Sequence, residues 1–202
     1  KRDRNKSLNK FPIQPSGLFK QLRKVLPKNS AITLDAGTLC LQATDALEYY
    51  NPPSLFTPLD FGLVGFSFAC GLGVKVARPD KTVVSLMGDG GFGMTISELS
   101  TAVQYGINTV TIVMNNNSWG AEKAYQKDFF GRRYIGADIS SPPFNKVAQL
   151  YGAKGFEVNK ISEINEALKA AIKYNKPAVI NVNVDPNALY SFRRDSFKHK
   201  TK

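Results

Sequence analysis

A chain of 202 residues with 43% hydrophobic and 21% charged side chains is long enough to bury a full core as one ordinary domain. No apolar run approaches the ~18 residues that a membrane-spanning helix needs, and the charged opening 1–10 has no signal-peptide pattern, so a cytoplasmic protein that meets no membrane is expected. The net charge of +11 sits largely at the ends, in Lys1, Arg2, Arg4, Lys6 and Lys10 and again in Arg193, Arg194, Lys198, Lys200 and Lys202; with no central basic stripe interleaved with aromatics, small anions suit it better than nucleic acid.

The chain begins on Lys1, which suits a fragment or a processed product. Residues 1–15 read as a linker, charged and then Phe11-Pro12-Ile13-Gln14-Pro15. Ser16 is placed to cap a helix reaching Leu26, with Leu18, Leu22, Val25 and Leu26 as its apolar stripe. Ala31-Ile32-Thr33-Leu34 is a short buried strand, followed by the loop Asp35-Ala36-Gly37-Thr38. A helix over 40–49 is broken by Asn51-Pro52-Pro53, and 55–63 is irregular. In the apolar stretch 65–77, Gly65, Ala69, Gly73 and Ala77 recur at a four-residue spacing that lets a helix pack closely on a sheet.

A strand over 83–87 enters a glycine turn, 88–93, whose one charged residue is Asp89. Thr95-x-x-Glu98 carries a capping-box signature for a helix with Ile96, Leu99 and Val103 on one face, ended by Gly106. The next strand, 110–114, delivers Asn115-Asn116-Asn117. The polar, aromatic-rich stretch from Trp119 to Pro143 suggests no element. A helix over 144–151 closed by Gly152, a strand over 155–158, a helix capped by Ser162 and running to Tyr174, and a strand over 178–184 complete the domain, 16–186, before a basic tail, 187–202. Cys40 and Cys70 have no metal or redox spacing and read as core thiols of a reducing compartment.

Strands alternating with helices at this spacing predict a doubly wound, mainly parallel α/β sheet with helices on both faces. Such sheets bind ligands outside the carboxyl ends of their strands, where the strand order reverses. Asp89 and Asn116 both follow such ends. A carboxylate beside an amide oxygen is a donor set for a hard cation such as Mg²⁺, and neighbouring glycine N–H groups suit phosphate oxygens. Gly88-x-Gly90-x-x-Gly93 also matches a dinucleotide fingerprint, but that pattern needs an acid about 20 residues on, where this chain has asparagines. Asp89 inside the turn would also repel an unscreened pyrophosphate, an objection that a bridging cation removes.

Gly88-Asp89-Gly90, the 91–114 stretch and Asn115-Asn116 together resemble the cofactor motif of thiamine diphosphate-dependent enzymes. The resemblance covers nearly all of the chain after residue 11 and implies the diphosphate-binding domain of that fold. By the same resemblance Asp89, Asn116 and the Ser118 carbonyl bind Mg²⁺, and Gly88, Gly90, Gly91 and Gly120 lie against the diphosphate. Gly37 and Thr38 match an earlier loop that touches it, and Gly62-Leu63-Val64-Gly65 matches the segment under the aminopyrimidine, with Val64 as the apolar wedge. The glutamate that activates the cofactor belongs to a pyrimidine-binding domain, expected elsewhere in a longer chain or in a separate subunit. Glu48, Glu98 and Glu122 lie inside segments of this domain, and His199 is the only histidine, so no catalytic side chain is expected here. Relatives build each site between two chains, which implies a homodimer or homotetramer.

Trp119-Gly120-Ala121-Glu122-Lys123, Gln126-x-Asp128-Phe129-Phe130, Arg132-Arg133 and Phe192-Arg193-Arg194-Asp195 resemble sulfoacetaldehyde acetyltransferase. That family turns sulfoacetaldehyde and phosphate into acetyl phosphate and sulfite, and its anions would suit Trp119, Lys123, Arg132 and Arg133 as substrate contacts. Gly62-Leu63-Val64 departs from the acetyltransferase pattern, and acetolactate synthase-type carboligases and 2-oxo-acid decarboxylases share the cofactor motif. A non-catalytic nucleotide- or anion-binding domain is the alternative of a different class.

Overall fold

The computed structural model describes residues 12–58 and 61–190. Six strands, β1 (Ala31–Leu34), β2 (Leu55–Phe56), β3 (Val83–Gly88), β4 (Val110–Asn115), β5 (Lys154–Val158) and β6 (Ala178–Asn183), form one sheet in the order β2-β1-β3-β4-β6-β5. Every pairing is parallel, so the doubly wound expectation holds, and among the described residues the sheet has no antiparallel member. The order reverses between β1 and β3, because β2 adds to one side of β1 and the rest of the chain builds on the other.

Both faces are covered. On one, the row Leu34, Leu86, Ile112, Ile180 and Phe156 runs across five strands. It packs under α1 (Pro15–Val25), α2 (Thr38–Ala46) and α8 (Ile164–Tyr174) through Leu18, Leu22, Leu39, Ala43 and Leu168. On the other, α3 (Phe66–Ala77), α4 (Asp89–Thr95), α5 (Glu98–Gln104) and α7 (Phe144–Leu150) pack Phe68, Phe92, Leu99 and Phe144 against Met87, Val113 and Val179. β3, β4 and β6 could be read from sequence because burial on both faces makes them continuous apolar runs, whereas the two-residue β2 lies in the stretch expected to be irregular. Among the described residues no helix is long and apolar enough to cross a membrane.

Several local expectations are corrected. α1 opens with Pro15 at its first position, Ser16 lies inside it, and Gln14 caps it without a side-chain bond. Ile13, expected in a linker, is buried and bridges Val184 just beyond β6. α2 starts at Thr38 rather than Cys40. The 88–93 glycine stretch is the start of α4, and no capping box forms after it: Thr95 Oγ1 donates to Gly91 O and Glu98 Oε2 accepts from Thr101. Ser162 sits in a 3-10 turn, where Glu163 Oε2 accepts the Asn159 and Lys160 N–H groups instead. The stretch after Trp119 contains a helix, α6 (Gly120–Phe129), whose one buried residue, Ala124, gives no periodic signal.

On α3 the small residues Ala69, Gly73 and Ala77 face outward, and Gly71 faces the sheet. A Cβ on Gly71 would run into Ser85 Oγ, with Thr33 Oγ1 at 3.3 Å. Thr33, Ser67 and Ser85 join their hydroxyls there at 2.9 Å, and Ser67 Oγ also donates to Thr33 O. A four-residue repeat fits either row of a helix; this hydroxyl cluster and the apolar anchors Phe68 and Leu72 select the row.

Candidate functional site

Three strand ends and one loop enclose a cleft of about 330 Å³ at the carboxyl edge of the sheet, beside the reversal in strand order. From β1 the chain passes Asp35 and Ala36 to Gly37 and Thr38, where α2 starts. β3 runs through Gly88 directly into Asp89, Gly90 and Gly91, the first turn of α4. Past β4 come Asn116, Asn117, Ser118 and Trp119, then Gly120 at the start of α6. Gly62 and Val64 border the mouth. Every residue expected to touch the cofactor lines this one cleft: Gly37, Thr38, Gly62, Val64, Gly88, Asp89, Gly90, Gly91, Asn116, Ser118 and Gly120. Trp119 lines it too, with its ring where a Cβ on Gly90 would have to go.

Glycine at 90 and 91 follows from crowding. The indole of Trp119 excludes a side chain at 90, while Asp35 Oδ2 and Val64 Cγ1 exclude one at 91. α4 is a poor helix by propensity and is held by packing instead. Its Phe92 is fully buried between Phe68 and Phe144, with ring centroids at 5.4 and 5.1 Å.

Two buried carboxylates hold the cleft, Asp89 in its lining and Asp35 behind Gly91. Asp35, 3% exposed, accepts the N–H groups of Gly65 at 3.0 Å and Ser67 at 3.1 Å, so it caps the entry to α3 from a different element. Gly65 takes φ 87°, a conformation natural to glycine, to bring those donors round. Asp89, 2% exposed, accepts the Ser141 hydroxyl at 2.6 Å. Burial pushes both carboxyls above the ordinary carboxylate range; backbone N–H groups pull Asp35 back, and the Ser141 hydroxyl with backbone N–H groups does so for Asp89. Burial likewise raises the Cys40 thiol, which lines the cleft as an unreactive neighbour.

A family model described as thiamine pyrophosphate enzyme, C-terminal TPP binding domain, matches residues 35–182, which hold the segments that follow all three strands at the cleft. The chain belongs to this family. Thiamine-dependent relatives agree with it. Sulfoacetaldehyde acetyltransferase of Alcaligenes xylosoxydans xylosoxydans is 33% identical over 188 residues, 91% of this chain and 31% of that protein. The probable acetolactate synthase large subunit of Methanococcus aeolicus is 34% identical over 187 residues, covering 90% and 31%. The thiamine diphosphate-dependent 4-hydroxybenzoylformate decarboxylase of Rhodococcus jostii RHA1 superposes with TM-score 0.81 at 27% identity, over 87% of this chain and 33% of that one. The chain thus spans about a third of the length of its curated relatives.

The thiamine pyrophosphate-binding domain treats the basic residues differently from the cofactor residues. Lys123 is paired with Asp138 and sits over the Tyr134 ring, and Arg132 and Arg133 lie exposed beyond the end of α6. None of the three lines the cleft, and among the described residues no lysine or arginine does. Arg193 and Arg194 lie outside the described residues. The structure adds Glu122 and Tyr125 of α6, with Phe61 and Leu39, to the lining. Thr38 exchanges hydrogen bonds with the backbone of Tyr190, its hydroxyl donating to the carbonyl and accepting the N–H at 3.1 Å. Asp35 was legible only as part of a loop, and Ser141 gave no signal, because its partner lies far away in sequence.

The donor chemistry fits a hard cation. Among the described residues no group of three His, Cys, Asp or Glu side chains could hold a metal, so a softer metal has no ligand set here. An Mg²⁺ site instead takes one or two carboxylates with neutral oxygens and ligand phosphates. Asp89 is a buried carboxylate held by the Ser141 hydroxyl and backbone N–H groups, and Ser118 Oγ is buried without a partner. Asn116 Oδ1 accepts the Ser118 N–H at 3.2 Å, which fixes the amide and leaves a lone pair free.

Proposed function

We propose that this domain holds thiamine diphosphate through Mg²⁺ in an enzyme acting on a small 2-oxo acid or aldehyde. The observation that carries the reading is the convergence of Asp89, Asn116 and Ser118 with the crowded glycines 90 and 91 in one cleft. Asp89, the Asn116 amide oxygen and the Ser118 carbonyl would hold the metal. Backbone N–H groups of Gly90 and Gly91, with Gly37, Thr38, Gly88 and Gly120 alongside, would hold the diphosphate, while Gly62 and Val64 face the ring end. Bound thiamine diphosphate supplies a nucleophilic carbon that adds to a carbonyl and stabilises the charge left there. This chain's own residues orient the cofactor and keep the metal carboxylate out of water. The activating glutamate would come from a pyrimidine-binding domain, in the same polypeptide or another, within at least a homodimer of the cytoplasm.

Calorimetry on the full-length protein tests the cofactor assignment. Thiamine diphosphate should bind with Mg²⁺ and be released by EDTA, and Asp89→Ala and Asn116→Ala should each weaken it at least tenfold. Binding indifferent to both substitutions would sink the assignment.

For the substrate, the Trp119-to-Lys123 segment and the relative at 33% identity support a sulfoacetaldehyde acetyltransferase-like reaction, with acetyl phosphate and sulfite as products. A second reading, an acetolactate synthase-type carboligase or a decarboxylase, is favoured by the lack of any lysine or arginine among the described lining residues. Transfer to phosphate would bring a sulfonate and a phosphate dianion beside Glu122 with no described cation to receive them. Phosphate-dependent acetyl phosphate formation supports the first reading; phosphate-independent condensation of two pyruvates supports the second.

A further inference from the structure

Asp89 is oriented by a residue that the cofactor reading leaves unused. Ser141 Oγ donates to Asp89 Oδ2 at 2.6 Å, and the other donors that hold the carboxylate are backbone N–H groups. The length is that of a charge-assisted O–H···O⁻ bond, roughly twice as strong as a neutral one.

Ser141 is itself anchored at both ends. Upstream, the 137–141 segment runs beside the loop carrying the other two metal-facing residues. Trp119 N–H donates to Ala137 O at 2.8 Å, Ile139 N–H to Asn117 O at 3.0 Å, and Ser141 N–H to Asn117 Oδ1 at 3.3 Å. Downstream, Phe144 packs edge-on against Phe92, three residues beyond Asp89 as Phe144 is three beyond Ser141. The two segments are therefore clamped at two points, hydroxyl to carboxylate at one and ring to ring at the other. The same clamp reaches Asn116 and Ser118 through Asn117. It sets the spacing between the carboxylate on α4 and the neutral oxygens after β4.

We propose that Ser141 is a positioning residue for the metal-binding carboxylate, fixing the Asp89 rotamer and tying it to the Asn116–Ser118 loop before any cation arrives. The proposal rests on the Mg²⁺ reading of Asp89. Outer-sphere partners of this kind are typically worth 10–100-fold in metal affinity.

The test uses full-length protein and Mn²⁺, an oxygen-seeking octahedral ion like Mg²⁺, with saturating thiamine diphosphate and free Mn²⁺ read by electron paramagnetic resonance. Ser141→Ala should weaken Mn²⁺ at least about tenfold, and Ser141→Thr, which keeps the hydroxyl, should restore most of that. A merely structural hydroxyl would shift the metal-free thermal midpoint and leave the Mn²⁺ affinity of folded protein alone. If the alanine variant does not fold, Ser141→Cys, similar in shape with a weaker donor, carries the same comparison. Unchanged affinity in Ser141→Ala, or a threonine variant as weak as alanine, overturns the proposal while Asp89→Ala still abolishes binding. Undiminished Mn²⁺ affinity in Asp89→Ala overturns the underlying metal assignment instead.

Discussion

Gly91→Ala should destabilise the cofactor cleft from behind. The new Cβ would sit against Asp35 Oδ2, over an ångström inside the optimal separation of about 3.5 Å, with Asp35 Cγ and Val64 Cγ1 both at 3.3 Å. Val64 can yield by tenths of an ångström. Asp35 cannot do so freely, because its carboxylate is bonded to the Gly65 and Ser67 N–H groups. Overpacking contributes roughly 1–3 kcal/mol, and one lost hydrogen bond to a charged group roughly 1.5–3 kcal/mol. Better helix propensity at position 91 offsets about 1 kcal/mol of this. The net expectation is a loss of about 2–5 kcal/mol, measured by urea unfolding of the metal-free protein. A double-mutant cycle with Asp35→Ala isolates the cause. That change removes the obstructing oxygen, so Gly91→Ala should then cost under ~1 kcal/mol, far from additive. Two changes that add to within about 0.5 kcal/mol would refute the argument that Asp35 is what excludes a side chain at 91.

Gly71→Ala forces α3 away from Ser85 Oγ or breaks the Thr33–Ser85 hydroxyl contact. It should lower stability by roughly 2 kcal/mol, or about 4–8 °C for a chain of this size; an unchanged thermal midpoint would mean the helix does not lie that close. Asp89→Asn should separate stability from metal binding. Because burial raises the folded-state pKa of Asp89 above its unfolded value, the native state holds more protons between the two, and stability falls as pH rises through that window. Below the ordinary carboxylate range, about pH 4, both states are protonated and the handicap vanishes. In EDTA the variant should therefore melt higher than the parent at pH 8, by a margin that shrinks toward pH 4, and it should gain nothing from Mg²⁺. A variant melting no higher than the parent at pH 8 would contradict the burial argument.

Sequence alone could place β3, β4 and β6, because strands buried on both faces leave continuous apolar runs with little ambiguity. It could place Asp89 and Asn116 together as well, since a parallel sheet returns every strand to the same edge. What it could not show is rotational or nonlocal. The Gly65, Ala69, Gly73 and Ala77 spacing marks a helix without saying which row meets the sheet, and a hydroxyl cluster contributed by three elements decides that. The first turn of α4 reads as a loop because Gly88-Asp89-Gly90-Gly91 has poor helix propensity, and it becomes helical through the burial of Phe92. Ser141 reaches Asp89 across an intervening strand and two helices, a pairing no local pattern encodes. The pairing of Lys123 is hidden for a related reason: its partner Asp138 lies fifteen residues on, beyond the end of α6.

The bridge between Ile13 and Val184 and the Thr38–Tyr190 exchange bear on how such a domain is joined to others. Both contacts lie at the carboxyl edge of the sheet, so the described chain enters and leaves on the cleft side, and its amino edge is free of both. A module wired this way can be coupled to a neighbour, or traded between proteins, without rethreading any strand. The first and last described residues thus lie on the edge that holds the cleft.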